Sequence, residues 1–127
     1  MTIAWRTATY RRAFPASDCT AVGASFSEIS TETKLYFGTA MPNGREVSAS
    51  EWEKFVKREI VPRFDGFSVA FVVGTWKGVV EATYLFSVVH MHMDTDRLID
   101  EIARAYKLAF SQEAVMRTDA VVSVEFV

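Results

Sequence analysis

Six runs of hydrophobic and polar alternation follow one another between Thr33 and Val127, and the order of their periods predicts the fold. A two-residue alternation over Leu35-Tyr36-Phe37-Gly38-Thr39 reads as a strand, stopped by the turn formers Pro42-Asn43-Gly44. Ser48 with Glu51 three residues on forms a capping box, and a helical period follows to about Val61 with Trp52, Phe55, Val56 and Ile60 inward. Pro62 has no amide to give the helix and ends it. Phe67 to Trp76 alternates as a second strand, and Lys77-Gly78 reverses the chain into a third, Val79 to about Met91. Asp94 or Thr95 caps a second helix. Leu98, Ile99, Ile102, Ala105, Tyr106 and Ala109 face in, and Arg97, Asp100, Glu101, Arg104 and Lys107 face out. A last strand lies within Ala114 to Val127, with a bend expected at Thr118-Asp119. The order β-α-β-β-α-β predicts an α+β, ferredoxin-like two-layer sandwich with an antiparallel sheet over residues 32–127.

Residues 1–31 keep no period and read as a partly ordered N-terminal arm, with one short strand expected near Val22 to Ile29. Trp5, Tyr10, Phe14, Val22 and Phe26 carry enough apolar area to favour packing on the domain or on a second copy. The sheet strands are apolar on both faces: Tyr84, Phe86 and Val88 alternate with Leu85 and Val89, and Phe67, Val69, Phe71 and Val73 with Ala70 and Val72. Two helices cover one face only, so the other needs a cover. A homodimer placing sheet on sheet is the first expectation, the arm the second and a small apolar ligand the third.

Half of the 127 residues are hydrophobic, which excludes a disordered chain and allows one real core. A formal charge of -2, with both signs interspersed, supplies no basic field for nucleic acid or an anionic membrane; Arg6, Arg11 and Arg12 in the arm are the exception. Cys19 is the single cysteine and cannot form an internal disulfide. With no apolar run long enough for a bilayer and no apolar stretch near Met1, a cytoplasmic location is expected.

No nucleophile motif, phosphate loop or dinucleotide fingerprint occurs, so no metal or organic cofactor is expected. His90-Met91-His92-Met93 places two imidazoles at strand spacing, as metal sites do, but nothing nearby completes a ligand set, and strand-end polar residues are the simpler reading. Leu35 to Ala40 resembles the first motif of RNA-recognition domains. Lys77-Gly78 followed by Tyr84 and Phe86 imitates the second motif only loosely, and the intervening Glu81 and the acidic total weigh against a phosphate backbone, so RNA binding is not expected. Glu81 stands among apolar neighbours, so an inward orientation would require a cation such as Arg63 or Arg117, or a retained proton.

Leu35-Tyr36-Phe37-Gly38, Trp52 with Phe55, Val61-Pro62-Arg63-Phe64 before Gly66, Gly74 to Trp76, Glu81, and Tyr106-Lys107 followed by Phe110 to Arg117 together resemble the bacterial domain-of-unknown-function family 3574 over about residues 33–127. The resemblance implies a ferredoxin-like fold and, for many members, export; it supplies no activity and no catalytic residues. Cys19, after Pro-Ala-Ser-Asp, does not form a lipobox. Tyr36, Arg63, Trp76, Glu81, Gln112 and Arg117 are polar or amphipathic where packing alone would favour aliphatics, and they are the candidate pocket or interface residues. The expected function is a binding or interaction module. A cofactor-independent enzyme of monooxygenase or isomerase type with an apolar cavity, or a small inhibitor or adaptor of a larger protein, is the alternative.

Overall fold

The computed structural model describes residues 28–127 apart from His92. Four strands and two helices follow one another: β1 (Glu28–Gly38), α1 (Ala49–Phe55, continued by a π-helical segment, Val56–Ile60), β2 (Ser68–Trp76), β3 (Val79–His90), α2 (Met93–Phe110) and β4 (Met116–Val124). The strands form one antiparallel sheet in the order β2-β3-β1-β4, the arrangement of a ferredoxin-like sandwich. β1 and β3 lie in the middle, so each β-α-β crossover spans a neighbouring strand and lays its helix on the same face.

The local signals explain most boundaries. Ser48 accepts from the Glu51 amide and Glu51 returns to the Ser48 amide, closing the capping box of α1. Lys77 (φ 49°) and Gly78 (φ 77°) form the left-handed pair of a type I′ turn, whose twist matches that of β2 and β3. At the end of α2, Ser111 takes φ 52° and the Gln112 amide bonds back to the Lys107 carbonyl, a Schellman closure built without glycine.

Several features differ from the sequence expectation. α2 already includes Met93, so Asp94 and Thr95, expected as its cap, lie inside its first turn. β1 starts at Glu28, so Glu28 to Thr31, assigned to the arm, pair with β4; of the strand expected near Val22 to Ile29, Glu28 and Ile29 fall in β1, and the rest of it lies with the arm outside the described residues. The helix after Ser48 does not stay α-helical to Val61, since the Val61 amide bonds to the Val56 carbonyl five residues back. β4 pairs in continuous register from Met116 to Val124 with no bend at Thr118-Asp119. Ala109, expected inward, is exposed, and Phe110 takes its place in the core.

Phe37, at the centre of the core, has ring centroids 5.3 Å from Trp52, 6.0 Å from Phe55 and 4.6 Å from Tyr106. It thereby joins β1 to both helices. Trp52 stacks on Tyr84 at 4.4 Å and 6°, linking α1 to β3. Each buried aromatic contributes about 1.5–3 kcal/mol from area alone, with ring geometry adding to it. Among the described residues the Trp52 indole N–H has no acceptor, a cost this packing offsets.

The Tyr106 hydroxyl donates to the Gly38 carbonyl at 2.7 Å. Burial raises its pKa, so it stays protonated and able to donate. β4 begins opposite Tyr36, so it does not reach this carbonyl. Tyr106→Phe therefore leaves a buried acceptor unpaired. A urea titration should show a loss of about 1–3 kcal/mol at unchanged m-value.

Candidate functional site

Beyond the start of β4 the last residues of β1 lose their neighbour on that side, and side chains take its place. Tyr106 meets the Gly38 carbonyl, Gln112 Nε2 donates to the Ala40 carbonyl at 2.8 Å, and Glu81 Oε1 accepts from the Ala40 amide at 3.2 Å. Glu81 starts on β3 and reaches that amide by crossing over Gly38. A Cβ on Gly38 would sit 2.1 Å from Glu81 Oε1, so glycine is what leaves the passage open. Gly74, opposite Glu81 on β2, leaves similar room beside the Thr83 hydroxyl, 3.2 Å from where its Cβ would be.

Glu81 lies on the face of the sheet that the helices do not cover. Register and alternation place Tyr36, Gly38, Thr83, Gly74 and Trp76 on that face with it. Among the described residues no donor meets Glu81 Oε2, and its carboxylate is half-buried. Trp76, at the hairpin tip, is exposed, with Lys77 Nζ 5.9 Å from its ring centroid. Elsewhere the face is mixed: Leu85, Val89 and Val122 alternate with Ser87, Thr118 and the Glu32–Lys34 ion pair at 3.3 Å.

Of the six candidates, the structure brings Glu81 and Gln112 together on Ala40 and sets Tyr36 and Trp76 on the same face as Glu81. It puts Arg63 and Arg117 elsewhere, and the expected pairing of Glu81 with either does not occur. Arg63 binds the Glu59 carbonyl and carboxylate at 2.8 and 2.9 Å and Glu101 at 3.2 Å, tying the end of the first helix to α2. Arg117 points under α2, where it meets Asp96, Asp100 and Asp119.

That second cluster continues inward through residues the sequence reading passed over. Thr33, fully buried on β1, donates its hydroxyl to Asp119 and lies 2.6 Å from His90 Nε2. A hydroxyl has one proton and the carboxylate takes it, so His90 must donate from Nε2, which fixes its tautomer. The signal was present in the alternation: Arg117 and Asp119 share the inward parity of β4, as Thr33 does in β1. His90 is thus committed to Thr33, while its expected companion His92 lies outside the described residues. Among the described residues no group of three His, Cys, Asp or Glu side chains is placed to hold a metal. A shallow depression of about 310 Å³ on the outer surface, lined by Asp100, Ala103, Arg104, Lys107, Ala114 and Val115, gathers none of the six candidates.

A family profile matches residues 32–126. The chain belongs to the family described as Protein of unknown function (DUF3574). The family description carries no activity. No curated protein matches. Among solved structures, a phage SAM lyase in complex with S-methyl-5′-thioadenosine superposes with a TM-score of 0.51 at 14% identity, covering 76% of this chain and 90% of that one. The same description in its apo state gives 0.52 at 14% identity, covering 77% and 90%. At this identity the likeness shows the fold alone. Among the described residues no helix is long and apolar enough to cross a membrane.

Burial lowers the His90 pKa, while Thr33, followed by Arg117, lowers that of Asp119. The unfolded chain therefore takes up a proton at residue 90 before the folded one does. The His90 contribution is complete above the ordinary histidine pKa of about 6.5 and declines as pH falls below it. The Asp119 contribution persists until pH falls below the ordinary carboxylate range. Thermal melts should show Tm falling between pH 7.5 and 5.5, with a smaller fall in His90→Gln.

Proposed function

We propose that this domain is a binding and interaction module that works without a metal or organic cofactor, and that its ligand-facing surface is the open sheet face around Glu81. The observation that carries this reading is the Glu81 carboxylate. One oxygen is spent on the Ala40 amide, the other meets no donor among the described residues, and the sheet face they share with Tyr36, Thr83 and Trp76 is the one the two helices leave open. An anchored carboxylate on the same face as the exposed Trp76 and half-buried Tyr36 rings suits a cationic group, such as an ammonium or sulfonium, which pairs with the charge and packs on a ring face. Arg63 and Arg117 stabilise the scaffold in this reading.

A second reading is a cofactor-independent enzyme acting on a nucleoside sulfonium. It is favoured by the same carboxylate together with the fold shared with a phage SAM lyase, whose structure holds S-methyl-5′-thioadenosine. It makes S-adenosylmethionine and S-methyl-5′-thioadenosine the first probes. Recovery of S-methyl-5′-thioadenosine from S-adenosylmethionine would select the enzyme; adduct without turnover would select the binding module. A sheet-on-sheet homodimer has less support, because the Glu32–Lys34 pair lies inside the surface that would have to dry.

Glu81→Gln separates the roles of the carboxylate, since its amide oxygen still accepts from Ala40 while the charge is gone. Native mass spectrometry should find S-adenosylmethionine retained by the unmodified chain and weakened about tenfold or more in Glu81→Gln, with Tm nearly unchanged. Gly38→Ala, which pushes the carboxylate off its path, should weaken the same probe. Equal retention by all three chains would remove Glu81 from the site.

A further inference from the structure

The two edges of the sheet are built differently. β4 carries Arg117 and Asp119 pointing inward, a device that discourages another strand from adding there. β2 has no such protection. From Ser68 to Trp76 it reads SVAFVVGTW, with no charge and no proline, and it pairs with β3 in unbroken register. Among the described residues nothing lies beside its outer edge.

The hydrogen-bonding groups of that edge can be assigned. The Thr39 amide bonds to the Ala82 carbonyl, so even-numbered residues of β3 face β1 and odd-numbered ones face β2. Glu81, Thr83 and Leu85 therefore bond Gly74, Val72 and Ala70, leaving the amides and carbonyls of Val69, Phe71, Val73 and Thr75 aimed outward. The side chains beside them are uncovered: Phe71 is 63% exposed, Val73 70% and Trp76 62%, with Val79 and Val80 equally open on the adjoining strand. Phe71, Val73 and Trp76, the large apolar side chains exposed on the edge strand itself, present on the order of 300 Å² of apolar surface toward the roughly 800 Å² per partner that a stable interface buries.

We infer that β2 is a homodimerisation edge, where a second copy adds its own β2 antiparallel about a two-fold axis through Val72 to make one continuous eight-stranded sheet. Val72 is the middle residue of the strand, so this register gives the greatest overlap. It also matches the free groups: Phe71 meets Val73 of the second copy and Val69 meets Thr75, all four residues presenting outward amides and carbonyls. Phe71 against Val73 is an aromatic–β-branched cross-strand pair. An uncharged strand meets its own copy without like-charge repulsion, which favours a second copy over a charged partner strand. The inference is independent of any ligand at Glu81.

The full-length chain should be dimeric by native mass spectrometry and by light scattering on a sizing column. Val73→Lys, on the helix side of the edge, should raise the dimer Kd about tenfold or more with an unchanged circular dichroism spectrum. Ala120→Lys, on the open face of β4, should leave the dimer intact. Val72→Cys in a Cys19→Ser background should cross-link on oxidation, because a non-hydrogen-bonded pair on the axis sets its Cα atoms about 4.5 Å apart, within disulfide range. This arm keeps the test decisive if Val73→Lys does not fold. A monomeric full-length chain, as expected if the N-terminal arm occupies the edge, would overturn the inference. So would a dimer broken by Ala120→Lys and not by Val73→Lys, or a Val72→Cys chain that does not cross-link.

Discussion

One ring on the sheet, that of Phe37, touches aromatic side chains of both helices. Trp52 and Phe55 reach it from α1 and Tyr106 from α2, and among the described residues no other strand ring meets aromatic rings of both helices. Because β1 is a central strand, anchoring the helices there fixes the layer over β3 and β4 as well. The Tyr106 ring packs on Phe37 while its hydroxyl closes the next carbonyl along, so one side chain serves both the apolar core and the termination of the strand. What lies beyond Gly38, including the path of Glu81, rests on that termination.

Much of this was legible in the sequence because each device is local. The capping box, Pro62, the Lys77-Gly78 turn and the alternation of β2 and β3 each act over a few residues, and all appear where they were expected. The π-helical segment was not legible, since Val56 to Ile60 satisfies an α-helical period as readily, and tertiary packing selects the wider turn. The start of β1 was missed for a related reason: Glu28 to Thr33 is polar and has little alternation, and its strand form is supplied by pairing with β4 and β3.

The candidate site was legible in part. Glu81 stands out among apolar neighbours, and the structure gives its carboxylate a defined partner in the Ala40 amide. Its partner could not be inferred, because the sequence suggested charge pairing while the structure supplies a backbone amide reached across a glycine. Arg63 and Arg117 were grouped with it by chemical type, yet sheet parity sends Arg117 to the opposite face and Arg63 to the helix layer. Thr33 and Asp119 were overlooked because each is ordinary alone. Their meaning arises when register sets them opposite one another with His90 alongside.

The π-helical segment also bears on how the length of this chain can change. Such a turn holds one residue more than an α-helical turn over the same span, so removing one residue between Val56 and Ile60 could restore regular winding while Trp52 before it keeps its seat. A strand has no comparable slack. One residue lost from β1 would exchange its two faces, turning Phe37 out and Tyr36 in. Natural length variation in this domain should therefore collect at the end of the first helix and in the loops, and be absent from the central strands.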